Sequence, residues 1–177
     1  MKKWPIILTL FVIITVVDQG TKYLAKEHLL GEGRISMAND MFRLQYSENR
    51  GAFLSMGANL PEPLRKGLFT GLVAVILVVF LIYLLRNNGF NRAAIIAGAL
   101  MLSGGVGNLI DRVFNDGAVV DFLNVGFGSV RTGIFNVADM AIMAGLFLFI
   151  FVGKEVLPEE AVAPEGSKPT TEEGSAA

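Results

Sequence analysis

Asp18, Asp111, Asp121 and Asp139, together with Lys22, Arg112, Asn108 and Asn136, are the residues of this chain whose types and spacing could do chemistry. Two aspartates sharing a site cannot both ionise comfortably, so one keeps a proton while the other is free to accept one. Such a pair can act as base toward water and as acid toward a carbonyl oxygen, which is peptide hydrolysis by an aspartic mechanism. Asp111, Asp121 and Asp139 are the candidates, since Asp18 already has Lys22 one helical turn away. Asp111 has Arg112 beside it, and an aspartate held ionised by a cation shuttles protons poorly. Asp121, between Val119-Val120 and Phe122-Leu123, and Asp139, in Asn136-Val137-Ala138-Asp139, are therefore the better choices. Asn108, Asp111 and Arg112 lie at i, i+3 and i+4, and Asn136 and Asp139 at i and i+3, so each set shares one helix face.

The elements that must position these groups follow from composition. The chain has 177 residues, 53% hydrophobic and 18% charged, with a mean hydropathy of +0.54, which is the composition of a membrane protein. A formal net charge of -1 and a pI near 5.8 supply no basic surplus, so no nucleic-acid partner is expected. The absence of cysteine removes disulfides, thiolate metal sites and a cysteine nucleophile. His28 stands alone, so zinc sites built on several histidines cannot be assembled. No metal and no cofactor is expected. His28 itself, beside Glu27, reads as an interfacial side chain.

A bilayer core about 30 Å thick needs about 20 apolar residues in a helix. Four stretches qualify, at about 4–25, 64–85, 93–113 and 135–156, and residues 68–85 and 93–110 carry no charge at all. The first begins like a secretory signal peptide, with Lys2-Lys3 before an apolar run. No Ala-x-Ala-like site closes it, however, and the Asp18–Lys22 pair extends it, so it is expected to stay in the mature protein. The stretch 158–177, rich in Glu, Pro, Ala, Ser and Thr, is expected to be a disordered tail. Residues 1–157 form the single membrane domain.

Between the spans, 26–63 is too long for a turn and carries Phe42-Arg43-Leu44-Gln45-Tyr46-Ser47 in strict alternation, a strand signal. The segment 114–134 is expected to be a short interfacial connection. The fold class is thus an integral, mainly α membrane protein: four transmembrane helices, a small β-sheet cradle and a short interfacial segment. Because four helices alternate direction, Asp18, Lys22, Asn108, Asp111, Arg112, Asn136 and Asp139 all reach one face of the membrane. Both long connections, with Asn49-Arg50 and Asp121, emerge there too. Ionisable groups inside a span cost roughly 3 kcal/mol or more unless paired or wet, so these faces should turn inward around a polar pocket. Gly105-Val106-Gly107 lacks the preceding strand of a dinucleotide loop and reads as close helix packing, as do Gly67 and Gly71. A serine–lysine dyad of Ser103 or Ser55 with Lys22 is conceivable. Proton-coupled transport and a scaffold whose polar residues merely cap helices are the rival classes. Transport sites favour the midplane of a repeat, which this sequence lacks.

In this order, Val17-Asp18-Gln19-Gly20-Thr21-Lys22, Asn49-Arg50-Gly51-Ala52-Phe53, Gly107-Asn108-Leu109-Ile110-Asp111-Arg112, Val119-Val120-Asp121-Phe122 and Phe135-Asn136-Val137-Ala138-Asp139 form five motifs. With them the chain resembles the lipoprotein signal peptidase (signal peptidase II) family over roughly 4–156. The family's common Gly-Ala-Ala-Phe loop is here Gly51-Ala52-Phe53, with a single alanine. The resemblance implies that Asp121 and Asp139 are the catalytic pair. It further implies that Asn108, Asp111, Arg112 and Asn136 orient the pair and the substrate backbone, and that Asp18, Lys22, Asn49, Arg50 and Gly51 stabilise the site or guide the substrate. It implies an enzyme of the bacterial inner membrane, with both termini cytoplasmic and the active site, with its sheet, at the periplasmic side. The substrate would be a diacylglyceryl-modified prolipoprotein, cut on the N-terminal side of the lipidated cysteine. A monomer surrounded by membrane lipids is expected.

Overall fold

The computed structural model describes residues 2–51 and 60–152. The expected tail, Ser55 and the later part of the loop motif lie outside the described residues. Helix α1 (Trp4–Leu29) has Pro5 in its first turn, where the missing N–H breaks no helical hydrogen bond, and ends where Leu30 turns extended. The long connection after it supplies β1 (Ile35–Met37) and β2 (Phe42–Asn49). A short helix α2 (Glu62–Lys66) runs through a π-helical segment, Gly67–Leu72, into α3 (Val73–Arg86). Helix α4 (Arg92–Phe114) is capped by Asn91, whose side chain accepts the Ala94 N–H at 2.8 Å. Strands β3 (Val119–Phe127) and β4 (Val130–Arg131) precede α5 (Val137–Val152).

Among the described residues, three helical stretches are long and apolar enough to cross a membrane: Trp4–Leu29, Glu62–Arg86 and Arg92–Phe114. Val137–Val152 is a shorter apolar helix of 16 residues. The molecule is a mainly helical membrane protein with a small antiparallel sheet. Val75, Ile76, Val78, Val79 and Ile82 of α3 are exposed apolar side chains, as a lipid-facing surface requires. Helix α4 sits at the centre, packed against α1, α3 and α5. Ile7, Leu84, Phe90, Ile95, Ala99 and Leu102 form the buried core around its first half.

Glycine makes these approaches close. A Cβ on Gly145 would lie 2.6 Å from the Ala97 carbonyl oxygen, and one on Gly105 would lie 2.5 Å from Leu77 Cδ2. At Gly107 it would fall 2.6 Å from Asp18 Oδ2, so the expected reading of Gly105-Val106-Gly107 as helix packing holds. Gly67 and Gly71 differ: a Cβ on either would meet nothing within 4 Å. They belong to the π-helical segment, where their small size serves no contact among the described residues.

The sheet runs β1-β2-β3-β4, antiparallel throughout. The alternation at 42–47 is indeed a strand, and Phe42 pairs with Val125 and Leu44 with Leu123. The register then shifts between Leu44 and Ser47, so that Ser47 faces Asp121 and Asn49 faces Val119. The segment 114–134, expected as a short interfacial connection, instead contributes the nine-residue β3 at the middle of the sheet. Val119, Val120, Asp121 and Phe122 are buried in succession, so this strand has two covered faces and no alternation to reveal it.

Candidate active site

Asp18 is fully buried and Lys22, one turn further along α1, is 4% exposed. Groups so deep must be paired. Lys22 Nζ lies 2.9 Å from Asp18 Oδ2 and 3.1 Å from Asp111 Oδ2 on α4, and donates to Asn108 Oδ1 at 3.0 Å. One cation thus joins two carboxylates from different helices to an asparagine.

Each of those carboxylates also grips a main-chain N–H elsewhere. Asp18 Oδ1 accepts from Ala138 at the start of α5 at 2.8 Å, and Asp111 Oδ2 accepts from Val120 in β3 at 2.9 Å. The residues that follow Ala138 and Val120 are Asp139 and Asp121. Both candidate carboxylates therefore extend from backbone pinned one residue earlier by a buried aspartate.

Asn136 caps α5. Its Oδ1 accepts the Asp139 N–H at 3.0 Å, and Asp139 Oδ2 accepts the Asn136 N–H at 3.2 Å, a reciprocal pair that satisfies two of the free N–H groups at the helix start. The amide nitrogen of Asn136 donates to Asp121 Oδ1 at 2.6 Å and reaches Asn108 Oδ1 at 3.2 Å. Asn108 Nδ2 in turn donates to Asp139 Oδ1 at 2.8 Å. Asn49, brought over by the register shift in β2, donates to Asp121 Oδ2 at 3.2 Å. Asp121 and Asp139 so belong to one hydrogen-bonded network drawn from α1, α4, β2, β3 and α5. Burial, with the Asp139 charge nearby, pushes the Asp121 carboxyl up to about 6, against the opposing pull of the Asn136 and Asn49 hydrogen bonds. A carboxyl that holds a proton at mildly acid pH beside a second carboxyl is the arrangement that general acid–base hydrolysis uses.

The family model described as Signal peptidase (SPase) II matches residues 10–153 of this chain. The chain belongs to the signal peptidase II family. It is similar to the lipoprotein signal peptidase of Borrelia hermsii (strain HS1 / DAH), 38% identical over 143 residues that cover 78% of this chain and 83% of that one. The lipoprotein signal peptidase of Borreliella burgdorferi (strain ZS7) is 35% identical over 166 residues, covering 88% and 96%. In fold it resembles a bacterial membrane enzyme solved by the in meso method at 2.3 Å, with a TM-score of 0.73, 22% identity and coverage of 90% and 94%. A second bacterial membrane enzyme, solved in the same way at 1.9 Å, gives a TM-score of 0.70 at 25% identity, covering 86% and 93%. Membership of the signal peptidase II family makes the chain a membrane protease.

Within this signal peptidase II fold the expected site residues are not all equally placed. Asp18, Lys22, Asn49, Asn108, Asp111, Asn136, Asp121 and Asp139 meet in the network. Arg112 joins from its rim, donating to the carbonyls of Asn108 at 3.1 Å and of Gly51 at 3.2 Å. Its Nε is buried with no partner among the described residues. Gly51 is buried and its N–H is held by Asn49 Oδ1 at 3.1 Å. Arg50 stands apart, half exposed and paired with Glu48 at 3.4 Å. The conceivable dyad of Ser103 and Lys22 does not form: Ser103 donates back to Ala99 O at 2.6 Å, and Lys22 is engaged with Asp18, Asp111 and Asn108. Sequence reasoning assigned nothing to Gln19, whose amide donates to Asp111 Oδ1 at 2.9 Å and reaches Asp18 Oδ2 and Gly107 O at 3.2 Å. A polar side chain directly after Asp18 in an apolar span was the available signal.

Proposed function

We propose that Asp121 and Asp139 are the catalytic pair with which this chain removes signal peptides from prolipoproteins. The single observation that carries the assignment is the linkage of the two carboxylates through Asn136 and Asn108, with Asp121 displaced to about 6. In this reading Asp121 holds the proton and Asp139 is the base. Asp139 takes a proton from water as the water oxygen attacks the scissile carbonyl carbon, and Asp121 gives its proton to the carbonyl oxygen. The resulting diol collapses as Asp139 protonates the leaving nitrogen, the C–N bond breaks, and Asp121 recovers a proton from the diol. Lys22 and Arg112 offset part of the negative charge of the neighbouring carboxylates, and Arg112 Nε, without a partner among the described residues, is a donor for a substrate carbonyl.

The finer reading places α5 as a fourth span, with both termini in the cytoplasm and the site at the periplasmic face of the bacterial inner membrane. It is supported by the position of the network: the later part of α1, the last turns of α4 and the first turn of α5 lie together, beside the sheet built from both long connections. The substrate carries diacylglycerol on the cysteine after the cut, its acyl chains stay in the bilayer, and the enzyme works as a monomer among lipids. Asn49 and Gly51 steady the wall beside Asp121, and Arg50, free of the network, meets the substrate from outside.

The test is cleavage of a diacylglyceryl-modified prolipoprotein peptide in detergent by wild type, Asp121→Asn and Asp139→Asn. Loss of cleavage in both folded variants supports the pair, and retention in either removes that residue from it.

A further inference from the structure

Gln19 lies on α1 between the two aspartates that pin the active-site backbone, and it touches both. Its Nε2 donates to Asp111 Oδ1 at 2.9 Å and approaches Asp18 Oδ2 and Gly107 O, each at 3.2 Å. Asp111 uses its second oxygen for Lys22 and for the Val120 N–H. Asp18 uses Oδ2 for Lys22 and Oδ1 for the Ala138 N–H. Asp111 is therefore held at both oxygens, by Lys22 and the Val120 N–H on Oδ2 and by the Gln19 amide on Oδ1, while Asp18 takes Lys22 and Gln19 together on Oδ2 and the Ala138 N–H on Oδ1.

We propose that Gln19 is a positioning residue for the cleavage reaction. Its amide fixes the Asp111 and Asp18 carboxylates in the orientation that grips the backbone immediately before Asp121 and before Asp139. The inference rests on the assignment of those two residues as the catalytic pair. Asp111 is 3% exposed, so an oxygen that loses its donor there finds no water in exchange and turns toward Lys22 instead. Turning releases the Val120 N–H, and β3 with Asp121 moves relative to α5. Displacements near 1 Å between reacting groups cost on the order of 100-fold in rate, so a residue that touches neither catalytic carboxylate can still govern turnover.

Two variants separate positioning from packing. Gln19→Met keeps the length and bulk and removes the donor; Gln19→Glu keeps the shape and offers a donor only while its carboxyl is protonated. With the lipidated peptide in detergent, Gln19→Met is expected to lower kcat roughly 10- to 100-fold with KM within about twofold. The activity of Gln19→Glu relative to wild type is expected to climb as pH falls. A packing role predicts instead that both variants keep wild-type kcat and follow the wild-type pH profile, and that result overturns the proposal. If Gln19→Met does not fold, the pH dependence of Gln19→Glu decides alone. Asp121→Asn run alongside separates the two levels. If it still cleaves, the catalytic pair is wrong and this proposal falls with it; if it is inactive while Gln19→Met turns over normally, only the positioning role is lost.

Discussion

Asn136 Nδ2 lies 2.6 Å from Asp121 Oδ1, so the residue that caps α5 also holds a carboxylate on β3. One side chain thus ties the helix end to the site. Substituting Asn136 tests both halves. Asn136→Ser retains a capping oxygen and loses the amide donor, whereas Asn136→Ala loses both. The alanine variant is expected to be less stable than the serine variant by about 1 kcal/mol. Both should lose at least 10-fold in kcat, measured by thermal unfolding in detergent and by peptide cleavage.

Asp121 makes stability depend on pH in a definite direction. Its folded pKa, about 6, is above the ordinary 3.8, so the folded state binds the proton more tightly than the unfolded chain. The stabilisation is complete below about 3.8 and is lost as pH rises through 6. Above that, the ionised buried group costs on the order of 3 kcal/mol. Asp121→Asn removes the cost, so its melting temperature should match wild type near pH 4, exceed it increasingly toward pH 6 and keep a constant advantage beyond. A variant advantage that shrinks with rising pH would contradict the burial argument.

The same proton sets the activity profile. If Asp121 must be protonated in the free enzyme, kcat/KM falls as pH rises through about 6. A bound peptide excludes water further and favours the neutral form, so the falling limb of kcat should lie at higher pH than that of kcat/KM. Initial rates across pH 4.5 to 8.5, roughly the range over which such groups titrate, would separate the two limbs.

Lys22 faces Asp18 and Asp111 in a buried cluster, and removing one partner from such a cluster strands charge. Lys22→Met is expected to destabilise by about 3–5 kcal/mol. Adding Asp111→Asn to it should cost less than the sum of the single effects, a coupling of about 1–3 kcal/mol in a double-mutant cycle. By contrast Arg50→Gln breaks only the exposed contact with Glu48, and is expected to leave stability within about 1 kcal/mol while raising KM.

Glycine positions offer a paired control. Gly104→Ala drives a methyl against the Ala138 carbonyl and to 2.9 Å from Ile142 Cγ1 at the α4–α5 contact, and overpacking of this kind costs about 1–3 kcal/mol. Gly71→Ala meets nothing within 4 Å and should be neutral or stabilising by up to about 1 kcal/mol. The melting temperature of Gly104→Ala should therefore fall while that of Gly71→Ala stays level or rises.

What could be read beforehand follows from which physical signals are local. Strand β2 shows because apolar and polar residues alternate from Phe42 to Ser47, even though exposure along the folded strand does not alternate with them. Strand β3 is hidden because both its faces are covered at Val119 to Phe122, and a continuous apolar run resembles any buried segment. The convergence of Asp18, Lys22, Asn108, Asp111, Asn136 and Asp139 was legible from alternating helix direction and i, i+3, i+4 spacing. Which oxygen faces which N–H was not, because Asp18 meets Ala138 across 120 residues and Gln19 meets Asp111 across 92. Gly67 and Gly71 misled for the same reason, since a small residue looks alike whether it faces a neighbour or open space.

The i, i+4 arrangement of Asp18 and Lys22 bears on how the protein is made. Helix α1 precedes by tens of residues the partners that finally satisfy it: Asn108 and Asp111 on α4 and the Ala138 N–H on α5. A lone aspartate or lysine on that helix would meet the hydrocarbon bare until those segments arrived. Because each carries its own counterion one turn away, the helix enters the bilayer electrically neutral and can wait. Docking of α4 and α5 then converts a local ion pair into the keystone of the site. Order of synthesis and order of assembly need not coincide for this protein to reach its active form.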